Sequence, residues 1–234
     1  GERSCSTSQL VGDMSLIAMF QKPPVSSDSF LMALDDDPGR AKEVEAESGN
    51  TPLHYACCGA APLRVIAALL KYYPEAASIP DLDGNLPITG AVANGSDASV
   101  VDALLKANPQ ACQARQGKCT LLHAAACNAA SADTVRLLLN AWPEAAAEVD
   151  DEGNTPLHFA AASQASPDVV QALIEAFPMA ASMRGRAQRF PLSLAMLFEA
   201  PPASVQKIRD AYPRAVRDGC FTADYQNHGL GLPP

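Results

Sequence analysis

Four histidines, seven cysteines and a run of carboxylates are the groups in this 234-residue chain that could do chemistry. His54, His123 and His158 each stand three residues after a threonine, in Thr51-Pro52-Leu53-His54, Thr120-Leu121-Leu122-His123 and Thr155-Pro156-Leu157-His158, and His228 stands alone near the C-terminus. A catalytic or metal-binding role would need such side chains to converge. Their spacing instead puts one histidine in each of three separate segments, with no Ser/His/Asp set and no glycine-rich phosphate loop beside them. Glu148, Asp150, Asp151 and Glu152 could suggest calcium, but the loop lacks the ligand rhythm and closing glutamate of an EF-hand, so a solvated acidic turn is the stronger reading. Cys112, Cys119 and Cys127 are too far apart for a Cys-x-x-Cys zinc knuckle. No metal and no cofactor are therefore expected, and an enzyme is the weakest reading of the chain.

The elements that hold these groups repeat. Thr155 followed by Pro156 starts a helix, because the hydroxyl caps a free N–H and proline suits the first helical position; Gly153-Asn154 before it supplies a tight turn. The phrase returns around Pro52, Pro87, Leu121, Pro156 and Pro191, at intervals of 35, 34, 35 and 35 residues. A second ladder, Pro74, Pro109, Pro143, Pro178 and Pro213, each in an aromatic-or-Asn-Pro-x-Ala setting, repeats in the same register. Each unit reads as a short helix, such as Pro52 to about Gly59, and a longer one, such as Leu63 to Tyr72. The buried stripe of the longer helix is Val65, Ile66, Leu69 and Leu70, matched by Val100, Val101, Leu104 and Leu105, by Val135, Leu138 and Leu139, and by Val169, Val170, Leu173 and Ile174. Ser131 and Ser166 are natural caps for second helices.

A period in this range with Thr-Pro-Leu-His, intact at 51–54 and 155–158, resembles the ankyrin repeat, whose unit is about 33 residues. The Tyr-Pro-Glu-Ala-Ala ending resembles a variant common in algal and related protist proteins. The resemblance covers residues 14–217 and implies an all-α ankyrin-repeat solenoid of stacked helix-turn-helix units with hairpin-like fingers at 78–84, 113–118, 147–153 and 182–188. It has about five regular repeats (49–83, 84–117, 118–152, 153–187 and 188–217) after a degenerate one at 14–48. It also implies that each histidine bonds locally to steady the turn before its helix. Residues 1–13 read as an extended arm without the apolar stretch of a signal peptide, and 218–234 as a tail in which Phe221 and Tyr225 fold back as a lid. In the second regular repeat Leu86 replaces the capping threonine and Gly90 enters the helix, so 85–95 is expected to be the least stable interior segment.

Composition narrows the partners. Hydrophobic residues make up 48% of the chain but aromatics only 6%, which favours many close helix contacts over one large aromatic core. The net charge of −9 argues against nucleic acid. No apolar run reaches the roughly 18 residues a spanning helix needs, so direct membrane insertion is not expected. The odd cysteine count points to a reducing, intracellular compartment, cytoplasmic by default or an organelle such as a plastid if a leader is removed. Charge is polarised: residues 184–217 carry seven basic side chains against Glu199 and Asp210, a net of +5, leaving −14 elsewhere.

Function is then a protein–protein interaction module. The ankyrin resemblance implies a concave binding face made by the fingers and the exposed ends of the first helices. Those ends read Cys58, Asn94, Asn128, Ser163, Leu197 and Phe198, a floor of small side chains closing in a large apolar pair. The expected protein partner is basic where it meets Glu148, Asp150, Asp151 and Glu152, and acidic where it meets Arg184, Arg186 and Arg189. The alternative is a stable architectural subunit of a larger, membrane-associated or organellar multiprotein assembly.

Overall fold

The computed structural model describes residues 15–21 and 26–215; the arm 1–13, the tail 218–234 and the lid residues Phe221 and Tyr225 lie outside them. The chain falls into two compact units, residues 1–116 and 117–234. The first holds helices α1 (Leu16–Gln21), α2 (Ser27–Asp36), α3 (Pro52–Cys58), α4 (Leu63–Tyr72), α5 (Pro87–Ala93) and α6 (Ala98–Ala107), ending at the short strand β1 (Arg115–Gln116). The second opens with β2 (Cys119–Thr120) and continues through α7 (Leu121–Cys127), α8 (Ala132–Ala141), α9 (Pro156–Ala162), α10 (Pro167–Ala176), α11 (Pro191–Leu197) and α12 (Pro202–Ala211). The fold is all-α, and strand residues among those described are confined to these two pairs.

Within each unit the short helices stack on one another, α1 on α3 on α5 and α7 on α9 on α11, and the longer helices form a second row, α2, α4, α6 and α8, α10, α12. Seven-residue helices such as α3 and α9 are too short to persist alone. They hold because their caps and buried faces are supplied by neighbours. Ser131 Oγ accepts from the Thr134 N–H at 3.2 Å and Ser166 Oγ from the Val169 N–H at 3.4 Å, capping α8 and α10, while Leu86 before α5 offers no side-chain cap.

The stripe read from the sequence is the core, with Ile66, Leu69, Val101, Leu104, Val135, Val170 and Leu173 at most 2% exposed. It is narrower than expected in two places, since Leu70 and Ile174 are only half-buried. The second proline ladder marks an element that the sequence reading left unassigned. Four of its prolines open a five-residue 3₁₀ turn, Pro74–Ser78, Pro109–Gln113, Pro143–Ala147 and Pro178–Ser182, as does Pro38 at Pro38–Lys42, while Pro213 opens a simple turn. In three of these the paired alanines, Ala76-Ala77, Ala145-Ala146 and Ala180-Ala181, are buried, their small side chains letting the turn lie close against the helices. Gly90 also has a packing reason: a Cβ there would lie 2.7 Å from Cys58 Sγ on the neighbouring helix.

Candidate protein-binding surface

The recurrent threonine and histidine close each short helix on itself. The Thr51 N–H donates to His54 Nδ1 at 3.1 Å, and the same bond joins Thr120 to His123 at 3.2 Å and Thr155 to His158 at 3.1 Å. Because Nδ1 accepts, the neutral ring carries its proton on Nε2. His54 Nε2 then meets the Asn85 carbonyl at 3.1 Å and His123 Nε2 the Asn154 carbonyl at 3.1 Å, latching each helix to the next finger. These histidines are structural struts with both nitrogens occupied. His158 is the exception: its ring is 1% exposed and Nε2 makes no hydrogen bond of ordinary geometry, although the Arg189 and Met183 carbonyls lie near it. Burial drives its pKa down to about 4, opposed by the nearby Arg189 and Met183 carbonyls. Burial likewise lowers His54, against the Asn85 carbonyl and Asp81.

The fingers are built by an aspartate. The Asp150 carboxylate accepts from the Glu152 N–H at 2.9 Å, the Asn154 N–H at 2.8 Å and Asn154 Nδ2 at 2.9 Å, and Asp81 repeats the arrangement with Asp83 and Asn85. Burial alone would raise the Asp150 pKa, but the bonds from Asn154 and Glu152 hold it below the ordinary carboxylate value. In the last finger the same places are taken by Gly185 and Arg189, so the carboxylate is missing. The finger tips carry ion pairs, Lys118 to Asp151 at 3.1 Å and Arg186 to Glu152 at 3.3 Å, all four side chains being well exposed. Such pairs contribute at most about 1 kcal/mol each.

Between the last two fingers and helices α9 and α11 lies a cavity of about 480 Å³. Phe159, Ala162, Leu194 and Phe198 form its apolar wall; Glu152, Asn154, Arg186 and Arg189 stand around it, with the His158 ring in its side. Phe198 remains 46% exposed and the adjacent Leu197 37%.

Of the residues singled out in the sequence, Glu152, Arg186, Arg189 and Phe198 come together around this cavity. Asp150 does not present its carboxylate outward, since the finger's own backbone occupies it. Arg184 folds over the Phe190 ring at 4.2 Å and donates to the Gln188 carbonyl at 2.9 Å. Ser163 is half-buried and donates to the Ala126 carbonyl at 2.6 Å. Cys58, Asn94 and Asn128 are exposed at the ends of α3, α5 and α7, where Asn94 Nδ2 donates back to the Gly90 carbonyl at 2.8 Å. Asp151 is exposed at its fingertip and Glu148 half-buried at the finger's base.

A family profile for the ankyrin repeat matches residues 48–81, and a second, for ankyrin repeats in three copies, matches residues 88–182. The chain belongs to the ankyrin-repeat family. Among solved structures, the human ASB11 ankyrin repeat domain is 20% identical, with 85% of this chain and 84% of that one covered and a TM-score of 0.62. A structure of the predatory endopeptidase Bd0816 from Bdellovibrio bacteriovorus in complex with immunity protein Bd3460 gives 19% identity, a TM-score of 0.63 and 84% and 97% coverage. At these identities the likeness is one of fold. No curated protein matches the chain. Ankyrin repeats are in general protein–protein interaction modules and are typically non-catalytic. Among the described residues of this ankyrin chain, no group of three or more histidine, cysteine or acidic side chains is arranged to hold a metal ion, and no helix is long and apolar enough to cross a membrane.

One half-buried position of the ankyrin stack escaped the sequence reading. The residue after each Thr-x-x-His histidine or its counterpart reads Tyr55, Gly90, Ala124, Phe159 and Leu194, and all five are half-buried. Phe159 and Leu194 line the cavity. The signal was available: in one periodic position the residue changes freely in size while its neighbours on either side stay core-like.

Proposed function

We propose that the chain is a non-catalytic interaction module whose protein partner lies against the fingers and the C-terminal ends of the short helices. The observation that supports this is the cavity of the second unit, where apolar side chains, two of them large and still partly exposed, stand beside opposed charges on adjacent fingers. Exposed aromatics beside arginine are the composition of binding hot spots, whereas the described residues around the cavity do not pair a nucleophile with a base. The partner's own charge is set by the finger it meets, acidic residues facing Arg186 and Arg189 and basic ones facing Asp151 and Glu152.

A photo-reactive phenylalanine at position 198, in cells of the source organism, tests the reading against one at Gln206, which is exposed on α12. A discrete cross-linked partner from 198 and none from 206 is the expected result. Capture from 206 alone, or from neither, overturns it. Native mass in the same lysate then separates a transient adaptor, eluting near 24.5 kDa, from a permanent subunit that elutes only within a large assembly.

A further inference from the structure

The loop that joins the short helix α5 to α6 carries a reactive pair. Asn94-Gly95 is the one place in the chain where glycine follows an asparagine. The backbone nitrogen of the next residue can attack an asparagine side chain, and a Cβ on that residue hinders its approach; glycine has none. Asn94 is exposed, and Gly95, at φ 67°, has nothing within 4 Å of where a Cβ would stand, so water reaches the bond between them. The stack supplies its own control. The loops after α3, α7, α9 and α11 put Ala60, Ala129, Gln164 and Glu199 in the left-handed place that Gly95 takes, at φ of 49°, 51°, 59° and 54°. Asn128-Ala129 is the nearest copy: Asn128 is exposed, with φ −92° and ψ 17° against −95° and 9° for Asn94. The two asparagines share a place and a backbone conformation, and the residue that follows them differs.

In the folded chain Asn94 is restrained. Its Nδ2 donates to the Gly90 carbonyl at 2.8 Å, and the Gly95 N–H, the attacking nitrogen, donates to the Val92 carbonyl at 3.2 Å. Both acceptors belong to α5, so attack waits until the end of that helix opens. Opening is favoured there. Helix α5 lacks the threonine-to-histidine bond that closes α3, α7 and α9, and it carries Gly90 in its interior. The loop after it also buries the Ser96 hydroxyl without a hydrogen-bond partner, which costs stability.

We propose that Asn94 is a site of spontaneous deamidation, gated by local opening of the C-terminal end of α5. Once the two bonds break, the Gly95 nitrogen attacks Cγ of Asn94. A new C–N bond closes a succinimide ring, and the side-chain nitrogen leaves as ammonia, taking up the proton that the Gly95 nitrogen sheds. Water, the one co-reactant, then opens the ring at either carbonyl and leaves aspartate or isoaspartate. Either product replaces the donor to the Gly90 carbonyl with an anion facing the free carbonyls of a helix end, so the modified loop favours the opened state. The inference stands apart from the interaction-module reading.

The test holds the intact chain at pH 7.5 across a series of urea concentrations and follows each asparagine by peptide mapping that resolves aspartate from isoaspartate. In denaturing urea, conversion at Asn94 should lead that at every other asparagine and exceed that at Asn128 by about tenfold or more, and Gly95→Ala should bring it down to the Asn128 rate. Below the unfolding transition the Asn94 rate should be lower by about tenfold or more and change little with urea, as a local opening that exposes little surface requires. Asn94→Asp should lower the urea midpoint further than Asn94→Ala, which removes the same donor without adding a charge. Conversion led by another asparagine, or a rate indifferent to Gly95→Ala, overturns the assignment of the site. A folded-state rate equal to that in denaturing urea, or no greater than the globally unfolded fraction allows, overturns the gate. Equal midpoints for the two Asn94 variants overturn the effect of the product on α5.

Discussion

The fingers at 150–154 and 185–189 occupy the same place in successive repeats and close with the same backbone bond, Asp150 N–H to the Asn154 carbonyl at 3.0 Å and Gly185 N–H to the Arg189 carbonyl at 2.9 Å. Their side chains differ completely. The first has an aspartate carboxylate collecting three hydrogen bonds, a glycine, Gly153, at φ 80°, and a histidine of the preceding short helix latched to its carbonyl. The second has no carboxylate, Gln188 at φ 58° where the glycine stands, and His158 unlatched. A Cβ at Gly185 would lie 2.2 Å from Asn154 Oδ1 and 2.9 Å from His158 Cδ2, so the aspartate of the first finger cannot be restored there without displacing both. Backbone closure is thus a property of the repeat, while the side-chain bonds that brace it change from finger to finger: an aspartate collects them in the first, and in the second the Arg186 N–H donates to Asn154 Oδ1 at 2.9 Å.

The largest expected effect separating the two fingers is in pH dependence. His158 is buried neutral with a pKa of about 4, against about 6.5 in an unfolded chain. Between those values the unfolded state binds a proton that the folded state does not, so stability is full above pH 6.5, falls as pH drops towards 4, and levels below it. The shift corresponds to roughly 3 kcal/mol. His54 adds in the same direction, so the His158→Asn variant isolates the contribution: its urea midpoint should fall much less between pH 7.5 and 4.5 than that of the unaltered chain. Parallel pH profiles would show that His158 titrates like a solvated side chain, and the contrast between the fingers would collapse.

A smaller difference follows from the latch itself. His123→Ala and His158→Ala both remove a buried ring and the acceptor for a capping N–H, but only His123→Ala removes a well-formed bond to the next finger's carbonyl, at 3.1 Å. At pH 7.5 urea unfolding should find His123→Ala the more costly by about 1 kcal/mol, one net hydrogen bond. Equal costs would mean that the latch contributes nothing to stability and that the two fingers differ in geometry alone.

The frame of this fold was legible because two registered ladders depend on local chemistry: Thr-Pro starts a helix wherever it stands, and proline after an aromatic residue or asparagine stops one. The Thr51, Ser131 and Ser166 caps and the stripe Val65, Ile66, Leu69 follow from such rules. The 3₁₀ turns at Pro74–Ser78 and its equivalents were less legible, since a proline with small neighbours reads equally as a loop until the alanines are seen to be buried. The candidate site was legible in charge and less so in contact. Arg186, Arg189 and Glu152 were visible as opposed clusters, but their meeting across adjacent fingers depends on stacking. Asp150 and Arg184 looked identical to their partners in sequence, and the backbone bonds and ring contact that occupy them exist only once the fingers form. The missing latch at His158 leaves no trace in Thr-Pro-Leu-His, because the fault lies 31 residues away at Arg189.

Gln188 gives the smallest effect and the most telling sign. A left-handed conformation costs an L-residue about 1–2 kcal/mol, and glycine gives back part of that through the greater freedom of its unfolded chain. Gln188→Gly should therefore stabilise the protein by only about 0.5 kcal/mol, whereas Gly153→Gln, at φ 80° with no heavy atom nearer than 3.8 Å to its Cβ position, should destabilise it by about 1 kcal/mol from backbone strain alone. Thermal unfolding of the two variants under one buffer checks the pair. If Gln188→Gly instead destabilises, the glutamine side chain contributes more to the second finger than its backbone strain costs.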